Sequence, residues 1–173
     1  VTALRARKIR WDKPFALMMP DIIAVSRYCE LSVEEAGLLQ SARRPILLLK
    51  KKSGASLAAS IAPGNGRLGI MLPYTPLHAL LMQGREALVM TSGNLSDEPI
   101  VYDDREALAA LGNIADAYLT HNRPIFRRVD DSVLLYAAKA PRLLRRARGY
   151  APEPVQIKDC GQTILAVGAE QKS

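Results

Sequence analysis

Hydrophobic residues occur along the chain in short runs separated by turn-forming and polar residues. Aliphatic and β-branched runs of this length, bounded by Gly, Pro, Asn, Asp or Ser, are typical of strands. The runs predict strands over residues 15–19, 46–50, 68–72, 87–91, 118–120 and 132–136. Most of them are continuously apolar, which is typical of strands covered on both faces of a sheet.

Between these runs, apolar residues recur at the spacing of amphipathic helices. The pattern predicts helices over residues 21–29, 33–40, 76–83 and 105–111. Two of them carry a start signal, because Ser32 and Glu35 form a capping-box pattern and Asp103 stands three residues before Glu106. Alternating strands and helices predict an α/β fold, with a sheet flanked by helices.

Helix- and strand-breaking residues cluster at 62–66, 73–76 and 148–154. The last cluster leads into a polar stretch and is the best candidate for a domain boundary. The apolar run at 163–168 beyond it resembles a fresh strand, and residues 2–8 resemble the end of a helix rather than its start. We therefore expect the sequence to be a piece of a longer protein.

The composition fits a globular protein that binds anions. A chain of 173 residues with 49% apolar residues can bury a core as a single domain. The net charge of +7 favours nucleotides, RNA or acyl phosphates as partners. Two cysteines and two histidines, without a CxxC pattern, predict reduced thiols and no zinc site. No run approaches the roughly 18 apolar residues of a membrane span, so we expect a soluble, cytoplasmic protein.

The segment 91–99, Thr-Ser-Gly-Asn-Leu-Ser-Asp-Glu-Pro, is rich in hydroxyl and amide groups and follows a predicted strand. In α/β sheets ligands bind at such strand ends. Gly93 would let backbone N–H groups point inward as an anion nest. An ordinary polar turn is the better interpretation of any single residue, but the density of donors predicts one wall of a nucleotide-phosphate site. Its candidate ligands are Thr91, Ser92, Asn94 and Ser96.

Charged groups are also needed, because neutral donors leave most of a triphosphate's charge unbalanced. Asp97 and Glu98 could hold Mg²⁺ on the phosphates. Lys8 and Arg10 could supply positive charge, since their spacing places them on the same side of an extended segment. Arg offers a bidentate fork and Lys a point charge. A basic run alone is more often a solvated surface, so this prediction depends on the partner loop.

The Lys8-x-Arg10 element and the T-S-x-N-x-S-x-E-P loop together resemble the YrdC-like family of ATP-dependent carbamoyl-activating domains. Further segments resemble the HypF branch of that family, namely residues 43–46, 62–65, 71–78, 121–124, 130–133 and 144–150. The resemblance covers nearly the whole chain. It implies a twisted sheet of mixed or parallel strands over residues 1–155, truncated at the N-terminus because the family's first strand is missing. Residues 156–173 would be a linker and the start of a sugar-kinase-like carbamoyl-transfer domain.

The resemblance also implies roles for individual residues. The family's Lys-Arg-Ser-Asn set for binding phosphates falls on Lys8, Arg10, Ser92 and Asn94, of which Lys8 and Arg10 would be catalytic. Further nucleotide contacts fall on Ser132 and on Arg146, although Arg145 and Arg148 compete with Arg146. Candidate substrate contacts are Tyr74, His78 and His121. A structural role, capping a helix, is as good an interpretation of His78.

The implied activity is the formation of carbamoyl-adenylate from ATP, with Mg²⁺, and carbamate derived from carbamoyl phosphate. The carbamoyl group would pass to a transfer domain of the same chain and then to a HypE-like hydrogenase-maturation protein, for synthesis of the cyanide ligands of the NiFe centre. The alternatives are threonylcarbamoyl-adenylate synthesis for tRNA modification and a non-catalytic module that binds double-stranded RNA. Two features disfavour nucleic acid: Leu72 stands before Pro73 where RNA-modifying relatives carry arginine, and aromatic residues make up only 5%.

Overall fold

A computed structural model describes residues 1–96, 98–156, 161, 163 and 165. Its strands are β1 (Ala16–Met18), β2 (Ile46–Lys50), β3 (Arg67–Met71), β4 (Leu88–Met90), β5 (Val133–Ala137) and β6 (Ala140–Arg145). They form one sheet in the order β4-β1-β3-β2-β5-β6. The β1/β3 and β2/β5 pairs are parallel, and the other neighbouring pairs are antiparallel. The predicted α/β fold with a mixed sheet is confirmed.

Four of the described helices begin at side-chain caps, two of which were predicted from the sequence, whereas the helix over Thr2–Lys8 begins without one. Asp21, Thr75 and Asp103 each accept a backbone N–H, and Ser32 with Glu35 forms the complete capping box. No helix among the described residues is long and apolar enough to cross a bilayer. The helices are α1 (Thr2–Lys8), α2 (Ile22–Tyr28), α3 (Val33–Gln40), α4 (Pro76–Met82) and α5 (Asp104–Leu111), and a single 3-10 turn spans Ala59–Ile61.

Two parts of the predicted strand pattern differ from the structure. Residues 118–120 form no strand, and Leu119 is exposed because its short apolar run has no neighbouring strand to pair with. Strand β6 was not predicted, because the two residues that turn the chain back from β5 are Ala138 and Lys139. Both have left-handed φ angles, 51° and 57°, which such hairpin turns usually assign to Asn and Gly. The predicted strand at 163–168 lies outside the described residues, apart from residues 163 and 165.

One face of the sheet carries the main core. Alternate residues of the central strands point to this face and are fully buried, including Leu17, Leu47, Ile70 and Leu134. Helices α2 and α3 add Val25 and Leu39 to the same cluster. Full burial of each such side chain stabilises the fold by about 1.5–3 kcal/mol.

The opposite face of the sheet is covered only in part. Met82 of α4 packs there against Met18 and Met71. Further along this face, Ile46 and Leu48 remain half-buried, and Gly69 has no side chain to fill the space between them. We call this half-covered surface the sheet floor. It extends between the two ends of the strands, where the candidate site residues lie.

Gly149 closes the chain against the segment before β2, and its conformation allows a clear test of the fold. Its φ is 84°, and an added Cβ would lie 2.6 Å from the Arg43 carbonyl oxygen. Gly54 has a similar φ of 74° but faces open space. Gly54→Ala is therefore expected to cost only the left-handed strain, about 1–2 kcal/mol in the free energy of unfolding. Gly149→Ala adds a backbone clash and should cost roughly 3 kcal/mol or more. Equal losses in urea denaturation would contradict this packing.

Candidate functional site

The ammonium group of Lys8 lies inside the loop that follows β4, of which the structure describes residues 91–96 and 98. Lys8 is only 1% exposed, and its Nζ donates to the carbonyl oxygens of Ser92, at 2.6 Å, and Asn94, at 2.7 Å. The Asn94 Oδ1 atom is 3.4 Å away. The structure therefore brings Lys8 to Ser92 and Asn94, which lie more than eighty residues further along the sequence.

Side chains of the loop hold this arrangement together. The Ser92 hydroxyl donates to Asn94 Oδ1 at 2.6 Å, and Asn94 Nδ2 donates to the Glu98 carbonyl at 2.6 Å. The Ser96 hydroxyl donates to the carbonyl of Lys8 at 2.9 Å, at the end of α1. Asn94 is 4% exposed, so its amide is a buried connector of the loop. The nest of backbone N–H groups stays a prediction, and toward Lys8 the loop presents two carbonyls.

Lys8 and Arg10 do not lie on an extended segment, and that prediction is wrong. Lys8 ends helix α1, and Ile9 follows it in the left-handed conformation, with φ 51° and ψ 48°. Its N–H bonds to the Ala6 carbonyl and so closes the helix. Arg10 then turns its guanidinium to the carbonyl oxygens of Lys13, at 3.1 Å, and Pro14, at 2.7 Å. A helix end, rather than an alternating strand, separates the two cations.

Sequence reasoning missed Arg5, the buried arginine one turn before Lys8. It is 6% exposed, and its guanidinium donates only to backbone carbonyls. Nothing in the sequence distinguishes it from Arg7, which is exposed and pairs with Asp116 at 2.8 Å. The difference arises from the helix, because the two side chains point to different sides of α1.

A second cluster lies at the opposite end of the strands. Loop 91–98 follows Met90, which pairs with Ala16 at the start of β1. The segment containing Tyr74 and His78 follows Met71, which pairs with Met18 at the end of β1. Because the three residues of β1 span two rises of about 3.3 Å, the two groups leave the sheet about 7 Å apart along the strand direction. The sheet floor lies between them.

This second cluster is built around the ring of Tyr74. The guanidinium of Arg148 lies 3.5 Å from the ring centre, and the His78 ring meets it edge-on at 4.4 Å between centroids. Arg148 is held in turn by Asp131, whose Oδ1 accepts its Nε at 2.9 Å and its Nη2 at 2.8 Å. Its Nη1 and Nη2 also donate to the carbonyl oxygens of residues 43 and 44, at 3.3 and 2.8 Å, so every nitrogen of the guanidinium is held by an acceptor.

Ser132 and Arg146 bind the backbone of the segment 147–153, which closes this cluster. The Ser132 hydroxyl is fully buried, accepts the Ala147 N–H at 2.8 Å and donates to the Arg148 carbonyl at 2.9 Å. Arg146 donates to the carbonyls of Tyr150, at 2.7 Å, and Glu153. Of the three competing arginines, Arg148 is therefore the one beside Tyr74. Arg145 turns to Asp130, at 3.6 Å.

The imidazole of His78 lies in an environment that favours its neutral form. Burial lowers its pKa below 6.5, with Arg148 adding to the effect and Asp131 opposing it. Its Nδ1 is buried and has no hydrogen-bond partner among the described residues. Its backbone N–H is capped by the Thr75 hydroxyl at 3.1 Å. The cap of α4 is thus Thr75, and the His78 ring remains available for another role.

The lowered pKa of His78 has a consequence for stability. Because the folded pKa lies below the unfolded value of about 6.5, the unfolded chain binds more protons just below that pH. This contribution to stability is present above pH 6.5 and is lost as the pH falls from there through the lower pKa of the folded state. We expect His78→Gln to make the free energy of unfolding less dependent on pH between pH 5 and 7. Parallel slopes for the two proteins in urea denaturation at several pH values would contradict the lowered pKa.

The side chains of the remaining candidates are not among those that form these two clusters. His121 borders an open cavity of about 320 Å³, whose lining includes Tyr102 and Arg105 at the start of α5. Thr91 and the Glu98 side chain are exposed, and Asp97 lies outside the described residues. Within the described part of the chain, no three acidic, His or Cys side chains gather as a metal site. The magnesium ligands therefore remain a prediction.

Comparison with known proteins places the chain in a family. The sequence model of the Sua5/YciO/YrdC family, described as "Telomere recombination", matches residues 1–147. The chain belongs to this family. A crystal structure of P. abyssi Sua5 complexed with L-threonine has the same fold, with a TM-score of 0.70 at 18% identity over 84% of this chain and 44% of that one.

Within the Sua5/YciO/YrdC family, the chain is similar to HypF proteins over nearly its whole length. Carbamoyltransferase HypF of Synechocystis is 47% identical over 175 residues, which cover 100% of this chain and 23% of that protein. Probable carbamoyltransferase HypF of Methanocaldococcus jannaschii is 43% identical with the same coverage. A crystal structure of full-length HypF in the phosphate- and nucleotide-bound form is 54% identical, with a TM-score of 0.87 over 91% of this chain and 25% of that one. The chain thus spans about a quarter of the length of these relatives.

Proposed function

We propose that the protein activates a carbamoyl group by joining it to AMP, with ATP as the adenylyl donor. The observation that carries this proposal is the buried ammonium of Lys8 inside the loop of Ser92 and Asn94. Similarity to HypF carbamoyltransferases, one of them solved with bound phosphate and nucleotide, supports the choice of substrates. Carbamate derived from carbamoyl phosphate is the proposed acceptor of the adenylyl group.

In the proposed reaction, a carbamate oxygen attacks the α-phosphorus of ATP. The new C–O–P linkage forms as the bond to pyrophosphate breaks, and the electron pair of that bond leaves with pyrophosphate. Such phosphoryl chemistry needs positioning and charge stabilisation more than covalent help from the protein. Lys8 would exchange one loop carbonyl for a phosphate oxygen, and Arg10 would stabilise charge on the departing pyrophosphate.

The loop supplies the neutral groups of the proposed phosphate site. Thr91, Ser92, Asn94 and Ser96 would donate to phosphate oxygens once their present partners are displaced. Mg²⁺ would neutralise charge on the bound triphosphate, with Asp97 and Glu98 as its protein ligands. Mg²⁺ usually takes one or two carboxylates and completes its shell with phosphate oxygens and water. An exposed Glu98 beside the loop fits that arrangement.

The carbamoyl end of the substrates is assigned to the cluster across the sheet floor. Tyr74 and His78 would contact the carbamoyl group. Arg148, which stacks on Tyr74, would take the nucleotide contact that the resemblance implied for Arg146. Ser132 would act through the closing segment, since its hydroxyl is committed to Ala147 and Arg148. His121 remains a candidate substrate contact only if the ligand extends to the start of α5.

The wider setting is also a proposal. The chain spans about a quarter of its HypF relatives, so the activated carbamoyl group would pass to another domain of the same polypeptide. Residues 1–155 would be the activating domain, and residues 156–173 the linker and start of a transfer domain. A HypE-like hydrogenase-maturation protein in the cytoplasm would be the final acceptor, for synthesis of the cyanide ligands of the NiFe centre.

Exchange of labelled pyrophosphate into ATP by the full polypeptide tests the substrates. We expect exchange that requires carbamoyl phosphate and is not supported by threonine with bicarbonate. The reverse dependence would favour threonylcarbamoyl-adenylate synthesis and overturn the proposal. Absence of ATP binding, together with tight binding of duplex RNA that weakens steeply with salt, would instead indicate an RNA-binding module.

A further inference from the structure

Arg5 makes an unusual set of contacts for an arginine in a short N-terminal helix. Its side chain is buried, and its guanidinium donates to backbone carbonyls. Nη2 donates to Ile61 at 3.0 Å, and Nε donates to Ser60. Burying a guanidinium is costly unless its N–H groups are satisfied, so these carbonyls determine where it lies. Arg5 thereby joins α1 to the 3-10 turn.

The remaining bonds of Arg5 fix the turn that carries Arg10. Its Nη1 donates to the carbonyls of Arg10 at 2.7 Å, Trp11 at 3.1 Å and Lys13 at 3.2 Å. Its own carbonyl accepts the Arg10 N–H at 3.0 Å. The side chain and the backbone carbonyl of Arg5 therefore both bind the turn that follows α1.

Arg5 and Arg10 also share two partners. The carbonyl oxygen of Lys13 accepts Arg5 Nη1 at 3.2 Å and Arg10 Nε at 3.1 Å. The ring of Phe15 lies 4.7 Å from the guanidinium carbon of Arg5 and 5.1 Å from that of Arg10. A shift of the Arg5 side chain would therefore move the Lys13 carbonyl and the Phe15 ring, both of which contact the Arg10 guanidinium.

We propose that Arg5 is a positioning residue that sets the orientation of the Arg10 guanidinium toward bound ATP. The proposal rests on the proposed function, in which Arg10 contacts the phosphates. Because carbonyls occupy its own donors, Arg5 would act through Arg10 rather than by a contact with ATP. Lysine could not replace it, because one ammonium has three donors and lacks the planar fork that reaches the two sides of the turn.

The test is a double-mutant cycle on the ATP dissociation constant of the full polypeptide, measured by calorimetry. Arg10→Ala is expected to weaken ATP binding roughly 10- to 100-fold, the loss of a charged hydrogen bond. Arg5→Gln should approach the same loss. In the Arg10→Ala background, however, Arg5→Gln should add less than about threefold, because there is no Arg10 left to position. Arg7→Gln, on the exposed side of the same helix, is the control and should bind ATP as the parent does.

Two other results of the double-mutant cycle would contradict different parts of the proposal. Losses that multiply in the double mutant would show that Arg5 acts independently of Arg10 and would overturn the inference. An Arg10→Ala protein that binds ATP normally would instead contradict the proposed phosphate site. If Arg5→Gln does not fold, Phe15→Leu removes the shared ring while leaving the Arg5 carbonyl partners in place. Its loss of ATP affinity should likewise disappear in the Arg10→Ala background, and persistence there would refute the coupling.

Discussion

Lys8→Ala is expected to reduce carbamoyl-phosphate-dependent exchange of pyrophosphate into ATP by on the order of 10³-fold or more. The substitution removes a buried charge that the loop surrounds with two carbonyls at 2.6 and 2.7 Å. It therefore has two effects, since the phosphates lose a cation and the carbonyls of Ser92 and Asn94 lose their shared donor. Initial rates with labelled pyrophosphate and the full polypeptide provide the measurement.

Lys50→Ala is the matched control for this experiment. Lys50 is an exposed lysine at the end of β2 that pairs with Glu30 at 2.9 Å, and surface pairs of this kind contribute little. Its exchange rate should be close to that of the parent protein. A Lys8→Ala protein that remains folded and keeps more than about a tenth of the parent rate would remove Lys8 from the proposed mechanism.

Asn94 is the second position with a large expected effect. Its amide accepts the Ser92 hydroxyl and donates to the Glu98 carbonyl, both at 2.6 Å, so it joins the two halves of the loop. Asn94→Ala removes both bonds and should lower exchange about 10²- to 10³-fold. Asn94→Asp keeps the shape but places a carboxylate oxygen against the Glu98 carbonyl and a negative charge beside the phosphates. We expect it to be at least as inactive as the alanine variant.

The comparison between the two Asn94 variants separates charge from packing. If the loop were an ordinary polar turn without a ligand, the two variants would lower stability and leave exchange largely intact in the folded fraction. Asn113→Ala, in the exposed turn after α5, is the control for loss of an amide and should leave exchange unchanged. An Asn94→Asp protein with near-parental exchange and ATP affinity would contradict a phosphate site at this loop.

The partnership between Lys8 and the loop was accessible from the sequence, because residue chemistry and motif both carried it. Ser92 and Asn94 are polar residues directly after an apolar strand, and the basic run precedes another. Capping residues likewise identified the starts of α3 and α5, since a cap is a local interaction between residues three apart. Features determined by neighbours in sequence were predicted with nearly correct bounds.

Features that depend on distant contacts were not accessible. The direction of the Arg5 side chain is determined by carbonyls of Ser60 and Ile61, more than fifty residues away. The preference for Arg148 over Arg146 depends on Asp131 and Tyr74, which no local pattern connects to the arginines. The extended geometry expected around Arg10 was wrong because a single residue, Ile9, ends α1 in a left-handed conformation that aliphatic residues seldom adopt.

The two strand predictions that were wrong, the omission of β6 and the strand at 118–120, also depend on distant contacts. Strand β6 begins after a turn in which Ala138 and Lys139 take left-handed φ angles without the usual Asn or Gly. Pairing with β5 over several residues holds them there, and that pairing is a tertiary property. The apolar run at 118–120 has β propensity, but the described part of the sheet offers it no partner.

The most direct test of the central claim is a crystal structure of the protein with ATP and Mg²⁺. We expect phosphate oxygens within about 3 Å of Lys8 Nζ and of the Asn94 side chain, with at least one loop carbonyl displaced from the ammonium. We also expect the nucleotide to lie along the sheet floor toward Tyr74 and Arg148. An ordered triphosphate elsewhere, for instance in the cavity beside His121, with Lys8 still bound to both loop carbonyls, would contradict the proposed phosphate site.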